Sequence, residues 1–303
     1  MRVFVMGGTG FVGGHLIPYL LESGHDVAAL TRSGSKAGRL PDNCSAVSGD
    51  PLSSGQWQQE AARCDAVVNL VGKNIFTRWT EKTKREIVDT RVRSTMKAVQ
   101  ALKDAGESRP CLFNANAVGY YPTDERLHTE DDPPGNSFLA EVSVKWQQEA
   151  QRAEEFGARV VVGRFAPVLA RGGGVMANVL PVFRLGLGGR IGDGRQPFPW
   201  IHMRDLVRGI EFCLRNADMS GPVNLCAPED ISNAEFTKAL AAALKRPAVL
   251  PVPEFALKIV FGQLSEMLVE GPRVDPHKLR GAGFEFRFPE IREALRDVLS
   301  RSR

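Results

Sequence analysis

The sequence predicts an α/β protein built on a doubly wound parallel sheet, and three observations predict it. Apolar runs recur through the first half, at Val3–Met6, Val27–Leu30, Ala66–Val71, Cys111–Ala115 and Arg159–Gly163. Such runs read as strands buried on both faces, as a parallel sheet requires. Segments with apolar residues at helical spacing stand between them, the alternation that makes βαβ units. The first run also leads straight into Gly7-Gly8-Thr9-Gly10-Phe11-Val12-Gly13, followed by His15-Leu16-Ile17 and Tyr19-Leu20-Leu21. Strand, glycine turn and helix in that order form the context of a dinucleotide-binding turn.

Each element follows in chain order. Gly24-His25-Asp26 ends the first helix and Val27–Leu30 is the second strand. Ala66–Val71 is a fourth strand, stopped by Gly72. A long helix covers 80–103, with Ile87, Val88, Val92, Met96 and Val99 as its apolar stripe. Cys111–Ala115 is a fifth strand, 138–156 a further helix and Arg159–Gly163 a sixth strand. After residue 166 the pattern changes, and residues 171–199 hold eleven glycines and prolines. Met203–Arg215 returns to helix, and Val223-Asn224-Leu225 is one more strand. Ser232-Asn233-Ala234-Glu235 is a capping box opening a helix that runs to Lys245. Short helices are expected between Pro251, Pro253, Pro272, Pro276 and Pro289. The class is therefore a Rossmann-type doubly wound sheet with a small mixed C-terminal substrate lobe. Its cofactor domain is expected over 1–166 plus 200–226, and the capping lobe over 167–199 plus 227–303.

In the glycine turn, Gly7 allows the tight bend, Gly10 lets the backbone approach a pyrophosphate, and Gly13 lets helix and strand pack closely. The helix start offers free N–H groups and a partial positive charge to phosphates. A glycine turn without a ligand is the competing reading. The second strand then speaks to which dinucleotide is bound. An NAD enzyme places an acid at its end for the ribose 2′-OH. This chain reads Thr31-Arg32-Ser33 there, and Arg32 is suited to a 2′-phosphate. NADP(H) is thus favoured over NAD(H), with a solvated loop arginine as the alternative.

The 303 residues carry a net charge of +4, are 43% hydrophobic and 24% charged, and have Lys and Arg scattered along the chain. That balance suits a soluble protein with an anionic small ligand and does not suggest nucleic acid. The first strand begins so early that no secretory signal fits before it. No apolar stretch approaches the ~18 residues of a membrane span, so no membrane partner is expected. Cys44, Cys64, Cys111, Cys213 and Cys226 form no C-x-x-C pair and fit a reducing, cytoplasmic compartment. The five histidines lack metal-ligand spacing, and no metal is expected. The expected partner is a small-molecule substrate, and a homodimer is compatible with the chain.

The arrangement resembles the extended short-chain dehydrogenase/reductase superfamily, which includes nucleotide-sugar epimerases. Closer segments are Gly72-Lys73-Asn74-Ile75 with Arg78-Trp79-Thr80, Ala117-Val118-Gly119-Tyr120-Tyr121 and Leu180–Gly189. Trp200–Leu206, and Asn233–Phe236 with Arg246-Pro247-Ala248, complete the set. Together they resemble the atypical epimerase-like family, whose name does not by itself define a reaction. The resemblance implies a cofactor on Gly7, Thr9, Gly10, Phe11, Val12, Gly13, Thr31 and Arg32. It adds Leu70 and Val71 at the end of the fourth strand, Gly72 after it, and Glu86 and Arg91 on the next helix. For Glu86 and Arg91 a solvated helix face is the alternative.

The superfamily's usual Tyr-x-x-x-Lys pair is absent. The three tyrosines, Tyr19, Tyr120 and Tyr121, are followed four residues later by Ser23, Asp124 and Glu125. Lys145 keeps a lysine near the usual helix position, with Glu141 in place of the tyrosine. The usual serine aligns with Asn116. Nucleotide-sugar enzymes carry a diphosphate arginine in Gly-Asp-Gly-x-x-x-Arg, and here Gly192-Asp193-Gly194 leads to Phe198, with Arg195 as a nearby substitute. Candidates for proton transfer or carbonyl polarisation are Asn116, Tyr120, Tyr121 and Lys145, with a phenol acidified by the Lys145 ammonium. His202 and the tryptophans Trp79, Trp146 and Trp200 read as structural. Two functions remain open. One is an NADP(H)-dependent oxidoreductase or epimerase-like enzyme on a small hydroxyl or carbonyl substrate. The other is a non-catalytic NADP(H)-binding redox sensor.

Overall fold

In a computed structural model, which describes residues 1–32, 37–103, 105, 110–248, 251–253 and 270–300, the apolar runs form one parallel sheet. Its strands are β1 (Arg2–Met6), β2 (Asp26–Thr31), β3 (Ser45–Ser48), β4 (Ala66–Asn69), β5 (Cys111–Ala117), β7 (Arg159–Phe165) and β10 (Gly221–Leu225). Their spatial order is β10-β7-β5-β4-β1-β2-β3. The order reverses between β1 and β4, the switch point at which such sheets bind ligands beyond their carboxyl ends. The first five helices are α1 (Gly13–Glu22), α2 (Trp57–Ala62), α3 (Glu81–Lys103), α4 (Phe138–Gln151) and α5 (Gly174–Arg184). They are followed by α6 (Met203–Arg215), α7 (Asn233–Leu244), α8 (His277–Gly281) and α9 (Ile291–Ser300). Two short pairs complete the strands: β6 (Leu127–His128) with β11 (Arg273–Val274), and β8 (Val168–Leu169) with β9 (Ile201–His202).

Period-two alternation explains why the strands look uniformly apolar. Val3, Val5, Val27, Ala29, Val68 and Phe113 face the core under α1 and α6. Phe4, Met6, Ala28, Leu30, Val67 and Leu112 face a second core under α2, α3 and α4. With both faces buried, hydrophobic burial drives the strand and helix layers together. A third cluster, with Met176, Phe183, Trp200, Phe236, Leu240 and Leu295, is the interior of the lobe.

Several boundaries differ from expectation for local reasons. β4 stops at Asn69 because the Asn69 side chain accepts the Val71 N–H at 3.2 Å and turns the chain. The helix expected over 138–156 is α-helical to Gln151 and 3₁₀ to Phe156, ending at left-handed Gly157. The stripe on α3 is buried at Ile87 and Val99 together with Ser94 and Thr95, while Val88, Val92 and Met96 are half-buried. The capping box forms at Ser232 and Glu235. The chain after 270 does not stay within the expected lobe. Val274, Leu279 and Phe284 join the core under α1 and α6, whereas Phe288, Ile291 and Val298 join the lobe. The short helices expected between Pro253 and Pro272 lie outside the described residues, as does Ser33.

Asp205, 1% exposed on α6, fastens that crossing. Its carboxylate accepts the N–H groups of Arg287 and Phe288, each at 2.8 Å, and pairs with Arg208 at 2.9 Å. Replacing Asp205 by Ala leaves two N–H groups without their acceptor, so a loss of about 3 kcal/mol is expected in urea unfolding. A loss within about 0.5 kcal/mol, the range of an ordinary surface change, would contradict this role.

Candidate functional site

The site begins at the carboxyl end of β1. Gly7 takes φ +81°, and a Cβ there would stand 3.0 Å from the Leu70 carbonyl carbon. The glycine turn therefore packs backbone against backbone on the residues following β4. The Gly10 N–H donates to the Gly7 carbonyl at 2.9 Å and closes the turn. A Cβ at Gly13 would lie 2.5 Å from that same oxygen and 2.6 Å from Gly8 Cα. At Gly10 a Cβ would meet only the Gly7 oxygen, at 3.1 Å, so the space above it is open. The three glycines thus differ in what they allow, as the motif requires. The N-terminus of α1 has no side-chain cap and no acid in its first turn. Among the described residues the Phe11 and Val12 amides donate to no protein acceptor. Two uncapped amides at a helix start, over an open glycine, fit an anionic pyrophosphate. Thr31 is buried at the end of β2 and Arg32, next to it, is exposed.

A buried polar layer holds the end of β4 in place. Asn69 Nδ2 donates to Asn114 Oδ1 at 2.9 Å and to Thr95 Oγ1 at 3.0 Å. The Trp146 indole donates to the same Thr95 oxygen at 2.8 Å. One amide therefore ties β4, β5 and α3 together, and α4 joins through Trp146. Its Oδ1 sets the Leu70–Val71 turn against which Gly7 rests. After this turn, Gly72 lies against the Arg91 guanidinium, where a Cβ would be 3.2 Å from Cζ. Arg91 Nη1 donates to the Lys73 and Ile87 carbonyls, both at 3.1 Å, and its guanidinium lies 5.1 Å from the Trp146 ring centre. With no carboxylate among these partners, burial pushes its pKa down to about 10. Glu86 pairs with Lys73 at 2.5 Å, and hydrogen bonding to that ammonium holds its carboxyl below the usual range.

The proton-transfer candidates fare unequally. Asn116 is buried, its Nδ2 donating to the Ser143 carbonyl at 3.0 Å and its Oδ1 accepting from the Ala117 N–H at 2.8 Å. It joins β5 to α4 and has little left for a substrate. Lys145 is exposed on α4, as is Glu141, while Ser143 and Trp146 form the buried face. The cation beside the phenols is instead Arg164 on β7, 1% exposed. Its Cζ lies 3.6 Å from the Tyr120 ring centre and its Nη1 donates to the Tyr121 hydroxyl at 2.6 Å. Tyr121 in turn donates to Asn224 Oδ1 at 2.7 Å. Burial raises the Tyr121 pKa, which reverses the expected acidification. Tyr121 is thereby corrected to a structural role. Among the described residues no hydrogen bond holds the Tyr120 hydroxyl, although its ring is largely buried.

Other expectations have plain outcomes. His202 Nδ1 accepts the Arg204 N–H at 3.1 Å and caps α6, with its ring 4.0 Å from that of Phe288. Phe198 stacks on Phe236 at 4.1 Å and belongs to the lobe interior. The Arg195 side chain is 90% exposed and lies beside Asp193. That pair has the form of a solvated turn, and no diphosphate clamp is built there. A groove of about 440 Å³ lined by Tyr19, Arg208, Glu211, Phe212 and Phe284 shares no residue with the strand ends. The site is therefore assigned on turn chemistry rather than on cavity volume. Sequence reading missed Asn69, Lys73 and Arg164. The signal at Asn69 and Arg164 was a polar residue inside an otherwise apolar strand.

Comparisons with known proteins establish the family. A model of the NAD dependent epimerase/dehydratase family matches residues 3–226, and a domain of unknown function, DUF1731, matches residues 252–298. The chain is similar to epimerase family protein SDR39U1 of Mus musculus, 39% identical over 306 residues, covering 99% of this chain and 100% of the relative. It is also similar to the Bacillus subtilis epimerase family protein YfhF, 36% identical over 303 residues, with 99% and 98% covered. Among solved structures, human SDR39U1 (isoform 2) with NADPH superposes with a TM-score of 0.86 at 34% identity, covering 99% of this chain and all of that one. A nucleoside-diphosphate sugar epimerase from Corynebacterium glutamicum gives 0.80 at 27% identity, with 99% of this chain and 58% of that one covered. The chain belongs to the NAD dependent epimerase/dehydratase family, among the epimerase family proteins that include SDR39U1.

Proposed function

We propose that this protein is an NADP(H)-binding enzyme, an oxidoreductase or epimerase-like catalyst acting on a small hydroxyl or carbonyl substrate. The observation that carries the reading is the pair of open amides, Phe11 and Val12, above an open Gly10 at the switch point. Arg32 at the end of β2 favours the 2′-phosphate of NADP(H). NADPH bound to the human relative supports the same choice. When bound, the nicotinamide supplies hydride chemistry, and the chain supplies orientation and a proton route. Gly7, Gly10 and Gly13 shape the cradle, and the α1 amides hold the pyrophosphate. Thr31, Leu70, Val71 and Gly72 line its edges. Arg91, with no carboxylate partner among the described residues, adds positive charge beside Gly72. Glu86 serves indirectly, through Lys73. Tyr120 is the group left to hold or release a proton at its hydroxyl, with the Arg164 guanidinium 3.6 Å from its ring centre holding the ring in place.

The redox-sensor reading keeps one observation in its favour: Asn116 and Lys145 do not assemble a replacement for the Tyr-x-x-x-Lys pair. The five free, buried cysteines support a reducing cytoplasmic setting. Scattered positive charge supports a small anionic ligand over nucleic acid.

Fluorescence titration is expected to give tighter binding of NADPH than of NADH. Arg32→Ala is expected to weaken NADPH alone by ~2 kcal/mol, about 30-fold. Equal affinities for the two dinucleotides would remove Arg32 from its role. Gly10→Val fills the open space above the turn, so calorimetry is expected to detect no NADPH binding in a folded protein. Retained affinity would place the pyrophosphate elsewhere.

The two tyrosines separate catalysis from structure. Tyr121→Phe strands Asn224 Oδ1 and is expected to cost about 1–3 kcal/mol of stability while NADPH still binds. Tyr120→Phe is expected to leave stability within about 1 kcal/mol and slow NADPH oxidation by ~100-fold or more in a screen of small carbonyl compounds. Unchanged turnover in Tyr120→Phe removes the proposed donor. Binding without turnover across the screen favours the sensor.

A further inference from the structure

Phe11 joins the dinucleotide turn to the lobe. Its ring lies flat on the chain that starts α5, and two successive glycines make room for it. A Cβ at Gly173 would stand 2.2 Å from Phe11 Cδ2. At Gly174, φ is +57°, and a Cβ would lie 3.0 Å from Phe11 Cε1 and 2.8 Å from the Val168 carbonyl oxygen. Gly173 is the N-terminal cap residue of α5, and its carbonyl accepts the Ala177 N–H at 3.2 Å. The first turn of α5 is therefore built directly on the aromatic ring. On the other side, the Phe11 carbonyl and His15 Nδ1 are 2.9 Å apart, with the two rings edge to face at 5.7 Å.

The amide of the same residue, like that of Val12, donates to no protein acceptor among the described residues. A phosphate oxygen accepting from the Phe11 and Val12 amides fixes the backbone from which the ring projects. Fixing the ring fixes the platform of α5. That helix leads into Leu185 and Leu187, 75% and 59% exposed, on either side of left-handed Gly186. This segment thus has its footing on the same turn that offers the Phe11 and Val12 amides.

We infer that Phe11 is a positioning residue that transmits occupancy of the dinucleotide turn to α5 and the 185–189 segment, so that NADP(H) binding orders this wall of the lobe. The inference rests on the NADP(H) reading above and adds a mechanical link to it.

Hydrogen exchange by mass spectrometry tests the link, with NADPH affinity titrated separately by fluorescence and exchange compared at saturation. In the wild type, NADPH is expected to slow exchange across 174–189 by about tenfold, with the α2 segment 57–62 changing far less. Phe11→Ala keeps the amide and removes the ring, and in it the NADPH-dependent slowing is expected to disappear. Gly173→Ala, which drives a Cβ into the ring, provides a second variant with the same expected loss. A purely structural ring would raise exchange equally with and without NADPH and leave the NADPH-dependent difference intact. That result, or wild-type protein that binds NADPH without slower exchange at 174–189, overturns the inference while the cofactor reading stands. Failure of NADPH to bind the wild type overturns both.

Discussion

The structure depends on a contact between two stretches of backbone, the glycine turn after β1 and the Leu70–Val71 turn after β4. No side chain separates them at Gly7, where even a Cβ would come within 3.0 Å of the Leu70 carbonyl carbon. Gly13 repeats the constraint one helical turn later, against Gly7 and Gly8. Such approach is open only to glycine, and it brings the helix start, β1 and β4 into one cradle. Asn69 holds the other half of the contact. It is wholly buried, yet its amide donates into β5 and α3 and its oxygen accepts from the next turn. A buried amide satisfied on both sides fixes a unique arrangement, because any shift strands a polar group away from water.

Electrostatics gives the carboxyl end of the sheet its chemical character. Two guanidiniums, those of Arg91 and Arg164, are tucked in with only neutral hydrogen-bond partners among the described residues. Arg91 donates to backbone carbonyls. Arg164 donates to the Tyr121 hydroxyl, the Glu130 carbonyl and Gln147 Oε1. Burying a charge without an opposite partner is costly. Its retention twice near the carboxyl ends of the strands, alongside helix-start amides with no protein acceptor among the described residues, is chemistry that suits an anion. The same network explains how Tyr120 and Tyr121, adjacent in sequence, diverge. One hydroxyl is locked between Arg164 and Asn224, and among the described residues the other makes no hydrogen bond.

Most of the sheet was legible because its signals are local. Unbroken apolar runs, a glycine motif between strand and helix and a capping box at Ser232 each encode their structure within a few residues. The two-residue pairs β6–β11 and β8–β9 were not legible, since neither carries a period. Leu127 and Arg273 are far apart in the chain and become neighbours only in the folded structure. The glycine turn was legible from its glycines. The surroundings of the phenols were not, because Arg164 reaches Tyr120 from a strand 44 residues on in the chain. Lys145, chosen from its helix position, faces solvent instead. The helix register was readable to within a residue or two, but which face α4 turns toward β5 is decided by Asn116 and Ser143 meeting across the interface.

A crystal structure with NADP⁺ bound tests the central claim most directly. The account predicts pyrophosphate oxygens within hydrogen-bonding distance, roughly 2.7–3.2 Å, of the Phe11 and Val12 amides, and the 2′-phosphate beside Arg32. A dinucleotide bound away from the glycine turn, or a 2′-phosphate in solvent with Arg32 turned aside, would contradict it.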